Sequence, residues 1–224
     1  MHTISRRQIH FVRDGESLAT SAADAFVEAV EKAIASRGVA AVALSGGATT
    51  RKLFAMLADE PYAARLSPLW TRLHVFWTTE RHVRPDHPES CYRLAHWVLL
   101  SRFAIPSSNI HRIRAEMSDS ATAASAYQHE LRTFFQPRGL MRDGLPCFDL
   151  TILALEDHEE QDSVQARNDD DGRWVTTRTA LTHERGEIVL TLPVLGNARN
   201  ALVLFPNGDA AAAGRAAHAL RFVA

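Results

Sequence analysis

The chain has 224 residues, 46 % of them hydrophobic and 23 % charged, with a formal net charge of -1. That is enough apolar material for one large α/β domain spanning 1–224, and the neutral balance excludes a general nucleic-acid binder or a polybasic membrane-surface protein. No run approaches the roughly 20 apolar residues that span a bilayer, and the two cysteines, Cys91 and Cys147, are too few for a disulfide framework or a four-thiolate zinc site.

In chain order, Gln8 to Val12 reads as a short strand stopped by Asp14-Gly15. Leu18 to Ser36 reads as a helix, with Phe26, Val27, Val30, Ala33 and Ile34 at helical spacing and Gly38 as its cap. Val39 to Leu44 is a continuous apolar run, as in a parallel strand buried on both faces. A helix is expected from Thr50 to Ala58, a strand from Leu73 to Trp77, a helix from Ser90 to Phe103 and a short strand from Ile110 to Ile113. Ser120 to Phe135 reads as a helix capped by Ser118 or Asp119. Strands at Phe148–Leu155, Ile188–Leu192 and Ala201–Phe205 follow, and an Ala-rich helix from Asp209 to Leu220 closes the chain. The polar, acidic segment 156–172 reads as an exposed loop. Alternating strands and helices predict an α/β fold of three layers: a mainly parallel, Rossmann-like sheet with helices on both faces.

The segment Ser45-Gly46-Gly47-Ala48-Thr49 joins an apolar strand to a helix. Glycines admit a ligand close to the backbone, and the N–H groups and dipole of a helix start favour an anion. Ser45 and Thr49 add hydroxyls. A tight structural connection is the alternative reading of the same spacing. A second loop, Thr79-Glu80-Arg81-His82, leaves the next strand at the same sheet edge, and Arg81 has the fork geometry for a phosphate or carboxylate. It would otherwise pair with a neighbouring acid. Trp70, Trp77 and Trp97 are expected to pack in the core, as is Cys147. Asp157-His158-Glu159-Glu160 offers metal-ligand types, but with a single His no metal site is expected.

Together these segments resemble the 6-phosphogluconolactonase family, which is related to the glucosamine-6-phosphate deaminases. The family pattern Ser-Gly-Gly-Ser-Thr-Pro matches Ser45 to Thr50, with Ala48 for Ser and Thr50 for Pro. Its Asp-Glu-Arg loop and the run after it match Thr79-Glu80-Arg81 and Pro85 to Tyr92. Its Phe-Asp-Leu strand matches Phe148-Asp149-Leu150, and its late Thr-Leu-Pro and Asn-x-Ala-Arg elements match within Glu187 to Arg199. The Glu80-Arg81 loop is similar to the lactonase branch rather than the deaminase branch.

The resemblance implies a cytoplasmic hydrolase of the pentose phosphate pathway, a monomer or homodimer without cofactor, opening 6-phosphogluconolactone to 6-phosphogluconate. Ser45, Gly46, Gly47, Ala48, Thr49 and Arg81 would hold the phosphate. Glu80, Thr79 and His158 would form the catalytic set, with His158 as general base on water. Three positions depart from the pattern: Thr79 replaces an Asp, the glycines framing the catalytic His are missing around His158, and Asp209 falls near a phosphate-clamping Lys. A relative that binds a sugar phosphate without turnover, as regulator or subunit, is the alternative implication.

Overall fold

The computed structural model describes residues 8–12, 15–154, 172–179 and 186–204. Five strands form the main sheet: β1 (Gln8–Val12), β2 (Ala40–Leu44), β3 (Leu73–Trp77), β7 (Leu150–Ala154) and β10 (Asn200–Leu204). Their order across the sheet is β1-β10-β7-β2-β3, and every pairing is parallel. From β2 the chain moves to one side, to β3; from β7 it moves to the other, to β10. The carboxyl ends of β2 and β7 therefore flank a topological switch point, where open parallel sheets leave a crevice.

Helices lie on both faces, as the alternation predicts. Consecutive side chains of a strand point to opposite faces. On β3, Phe76 packs its ring against Phe134 and Phe135 of α5 (Ser120–Phe135), while the next residue, Trp77, meets Tyr92 of α4 (Cys91–Val98). Helix α4 in turn packs against α2 (Ala48–Ala58), and α2 against α1 (Gly15–Arg37). All five β2 residues are buried, so the uninterrupted apolar run is a strand covered twice. Burying a side chain such as Phe76 stabilises the fold by about 2–3 kcal/mol.

Several elements differ from the sequence reading. The helix expected over 90–103 breaks at Leu99, where the backbone leaves helical values, and resumes only as a short 3-10 turn at Leu100–Arg102. The strand expected at 110–113 is a single bridge, Ile110 beside Val75. A five-residue helix, α3 (Tyr62–Leu66), was not foreseen. The hairpin of β5 (Met141–Arg142) and β6 (Leu145–Pro146) turns on Asp143-Gly144, both with positive φ.

The largest difference is a second sheet. Strand β9 (Gly186–Leu190) does not join the parallel set. It pairs antiparallel with β4 (Thr79–Arg81) and β8 (Val175–Thr179), in the order β4-β9-β8. Thr78 is the junction: its N–H and hydroxyl donate to Leu44 O in the main sheet, and its own carbonyl accepts from Leu190 N in the second. Pro193 then starts α6 (Leu192–Gly196) instead of continuing the strand. Phe205 and the helix expected over 209–220 lie outside the described residues, as does all of the 156–172 loop except Gly172.

Beside the β3 edge, His74 Nδ1 lies 3.0 Å from His111 Nε2, and His111 Nδ1 lies 2.8 Å from Glu130. Burial, then the neighbouring His111 and Arg138, lower the His74 pKa to about 4. The unfolded chain protonates this imidazole near 6.5 while the fold keeps it neutral, so stability falls as pH drops from about 6.5 to about 4. Allowing for partial solvent screening, the loss is on the order of 2 kcal/mol. His74→Phe should flatten urea-denaturation stability across that window relative to wild type; an unchanged pH profile would refute the assignment.

Candidate active site

The glycine loop leaves β2 at the switch point. Ser45 and Thr49 are buried, Gly46 and Gly47 half-buried, and Ala48 exposed. Gly47 is the residue before α2 and has φ 105°, a conformation that side-chain-bearing residues avoid. No side chain caps α2, and no acidic residue sits in its first turn. Its positive dipole end therefore has no carboxylate from within the first turn against it. Thr50 closes the turn by donating its hydroxyl to Gly47 O at 2.9 Å.

Gly46 is glycine for a different reason. A Cβ there would lie 2.3 Å from Cys91 Sγ. Cys91 opens α4, so the second loop is packed directly onto the first. Ser90 caps α4 by accepting from Arg93 N at 3.1 Å. Burial pushes the Cys91 thiol well above its ordinary pKa, helped by the neighbouring charges of Glu80 and Glu187 and opposed by Arg81. The thiol thus lies within electrostatic reach of all three.

Glu80 is 2 % exposed and its carboxylate is fully engaged. It accepts from Arg81 N at 2.9 Å, Cys91 N at 2.7 Å, Tyr92 N at 2.8 Å and the Ser90 hydroxyl at 3.0 Å. Burial raises its pKa, and these four donors pull against that rise by favouring the ionised form. The carboxylate binds the two ends of the 81–92 segment to each other. Thr79 and Arg81 alternate with it and share the other face of β4. Thr79 Oγ1 and Arg81 Nη1 are each buried without a protein partner. His82 is turned away, with Nε2 3.0 Å from Met117 O.

The structure thus brings Ser45, Gly46, Gly47, Ala48 and Thr49 beside Thr79, Glu80 and Arg81, with Cys91 as the shared contact. His158 and Asp209 lie outside the described residues. Two of the motifs behind the resemblance belong to the other end of the sheet. Asp149, before β7, accepts from Ala41 N at 2.9 Å and pairs with Arg37 and with Arg199 at 3.4 Å. Asn197 donates to the carbonyls of Arg142, Leu145 and Pro146, bracing the hairpin. Among the tryptophans, Trp70 and Trp77 are buried as expected, but Trp97 is 71 % exposed. It sits on the outer side of α4, its ring covered by Arg93 at 5.2 Å rather than by the core. Sequence reading also missed the Cys91–Gly46 contact and the buried Arg178–Glu187 pair, because both join segments far apart in the chain.

The family described as glucosamine-6-phosphate isomerases/6-phosphogluconolactonase matches residues 13–221. The chain is 41 % identical over 128 residues to a 6-phosphogluconolactonase of Synechocystis sp., covering 57 % of this chain and 50 % of that protein. It is 32 % identical over 152 residues to one of Nostoc sp., covering 68 % and 60 %. The chain therefore spans about half to three-fifths of these curated relatives. In fold it is similar to the 6-phosphogluconolactonase of Trypanosoma cruzi, with a TM-score of 0.74 at 24 % identity over 91 % of this chain and 81 % of that one. A match that runs through the glycine loop, the Glu80-Arg81 loop and both sheets identifies the chain as a member of the glucosamine-6-phosphate isomerase/6-phosphogluconolactonase family.

Proposed function

We propose that this protein hydrolyses 6-phosphogluconolactone to 6-phosphogluconate, the lactonase step of the pentose phosphate pathway. The observation that carries the reading is the paired arrangement at the switch point: an uncapped glycine-loop helix start beside Arg81, whose buried Nη1 has no protein partner. A dianionic phosphate supplies acceptors for both. Ser45 and Thr49 add hydroxyls to the same cradle. Holding the phosphate fixes the lactone carbonyl at a set distance from the loop, so binding energy goes into orientation.

Water then adds to the carbonyl and a general base takes its proton. The tetrahedral intermediate collapses, the ring oxygen leaves and takes up a proton, and the free carboxylate forms. His158 is the proposed base; it follows β7, the other strand at the switch point. Thr79 would orient it by hydrogen bonding, and Glu80 acts by holding the Arg81 loop in place. A charged sugar phosphate does not cross lipid unaided, so the reading carries a cytoplasmic location, with the chain working as one unit, alone or as a homodimer. Among the described residues no helix is long and apolar enough to cross a membrane.

The test is lactone hydrolysis measured against the spontaneous rate, with His158→Ala alongside. Wild type should exceed the spontaneous rate by orders of magnitude and His158→Ala should lose most of that excess. No acceleration by wild type would sink the activity. Arg81→Gln should raise KM about thirtyfold, equivalent to about 2 kcal/mol of lost charge-assisted binding, with a smaller change in kcat. An unchanged KM would remove Arg81 from the phosphate site.

A further inference from the structure

Arg81, Glu187 and Arg178 form one row across the second sheet. Glu187 is the cross-strand partner of Arg81 on one side and of Arg178 on the other. Directly paired residues share a face, with their Cβ atoms roughly 5 Å apart. Glu187 and Arg178 are almost fully enclosed, with side-chain exposures of 5 % and 9 %. Arg178 grips the Glu187 carboxylate with Nε at 2.6 Å and Nη2 at 2.5 Å. Arg81, the other cross-strand neighbour, keeps Nη1 buried and unpartnered.

A buried carboxylate beside two arginines has a choice of partner, and here it is held by the one farther from the glycine loop. We propose that Arg178 is a positioning residue for phosphate binding: by occupying Glu187 it keeps Arg81 free to face the anion. The proposal rests on the phosphate role assigned to Arg81 above. Its logic is electrostatic. The row of two cations and one anion leaves one net positive charge, and the Arg178–Glu187 pair localises that charge on Arg81. Without Arg178, Glu187 is an uncompensated buried charge one strand away from Arg81. It would draw the Arg81 guanidinium to itself and cancel the charge the phosphate needs.

The experiment uses four full-length proteins: wild type, Arg178→Met, Arg178→Lys and the double variant Arg178→Met/Glu187→Gln. The readouts are KM and kcat for the lactone and calorimetric affinity for inorganic phosphate. Arg178→Met should raise KM about tenfold and weaken phosphate binding in parallel, with kcat within about twofold. Arg178→Lys, which keeps the charge, should stay close to wild type. The double variant removes both members of the pair and should return KM and phosphate affinity towards wild type. A purely structural pair gives another pattern, in which KM stays put in all variants or the double variant is no better than Arg178→Met; either result overturns the proposal. If Arg178→Met does not fold, a double variant with a weakened phosphate affinity overturns it equally. Wild type that binds phosphate without hydrolysing the lactone would refute the proposed activity, while the order of phosphate affinities would still decide the role of Arg178. Wild type that does neither refutes both.

Discussion

Replacing Glu80 by alanine is expected to be the most damaging single change near the site. The carboxylate accepts from three backbone N–H groups and the Ser90 hydroxyl, in a place where water does not reach. Alanine leaves those donors unsatisfied. Each buried unpaired donor costs roughly 1–3 kcal/mol, partly offset by no longer burying a charge, so a net loss of about 3–5 kcal/mol is expected. The 81–92 segment would lose the tie between its ends, and Arg81 would lose its placement. The expected outcome is a clearly lower urea midpoint together with a fall in kcat/KM of about 100-fold or more, equivalent to about 3 kcal/mol. Glu80→Gln should fall between the two, because it keeps one oxygen but turns an NH2 group towards N–H donors. If Glu80→Ala melted like wild type and only activity fell, the carboxylate would be acting on substrate and not on the loop.

The second large effect is expected at Gly46. An added methyl would lie 2.3 Å from Cys91 Sγ and 3.1 Å from Cys91 Cβ, at a short side chain that opens a helix and cannot swing far. Overpacking of this kind costs about 1–3 kcal/mol. It would also push the glycine loop away from α4, which should weaken phosphate binding about tenfold. Gly46→Ala combined with Cys91→Ala removes the sulfur and leaves only the 3.1 Å contact. Stability and phosphate affinity should then recover relative to Gly46→Ala, with a coupling of about 1 kcal/mol or more between the two positions. Simple additivity of the two single changes would show that the loops are not in contact as described.

Both predictions concern residues whose chemistry is visible in the sequence and whose partners are not. The glycines announce a close approach, but nothing near Gly46 in the chain names Cys91, which lies one strand and two loops later. Glu80 reads as a member of a reactive loop, and its carboxylate is instead spent inwards on the start of α4. Helix α4 shows the same limit in another form: its apolar spacing suggests a continuous helix to Phe103, yet the backbone turns at Leu99.

What the sequence by itself determined is the local and periodic part of the protein. The unbroken apolar run of β2, the helical spacing of α1 and α5 and the Asp119 cap were each legible, because they arise from neighbours within one or two turns of chain. Their alternation was enough for a parallel sheet between helical layers. Only the tertiary structure decided the second sheet, the exposure of Trp97 and the row Arg81–Glu187–Arg178. A three-residue strand such as β4 has too few residues to show a period, and antiparallel pairing of 79–81 with 186–190 is a choice made across about a hundred residues of chain. Charges brought together by that choice define which arginine holds its carboxylate and which one is left to face an anion.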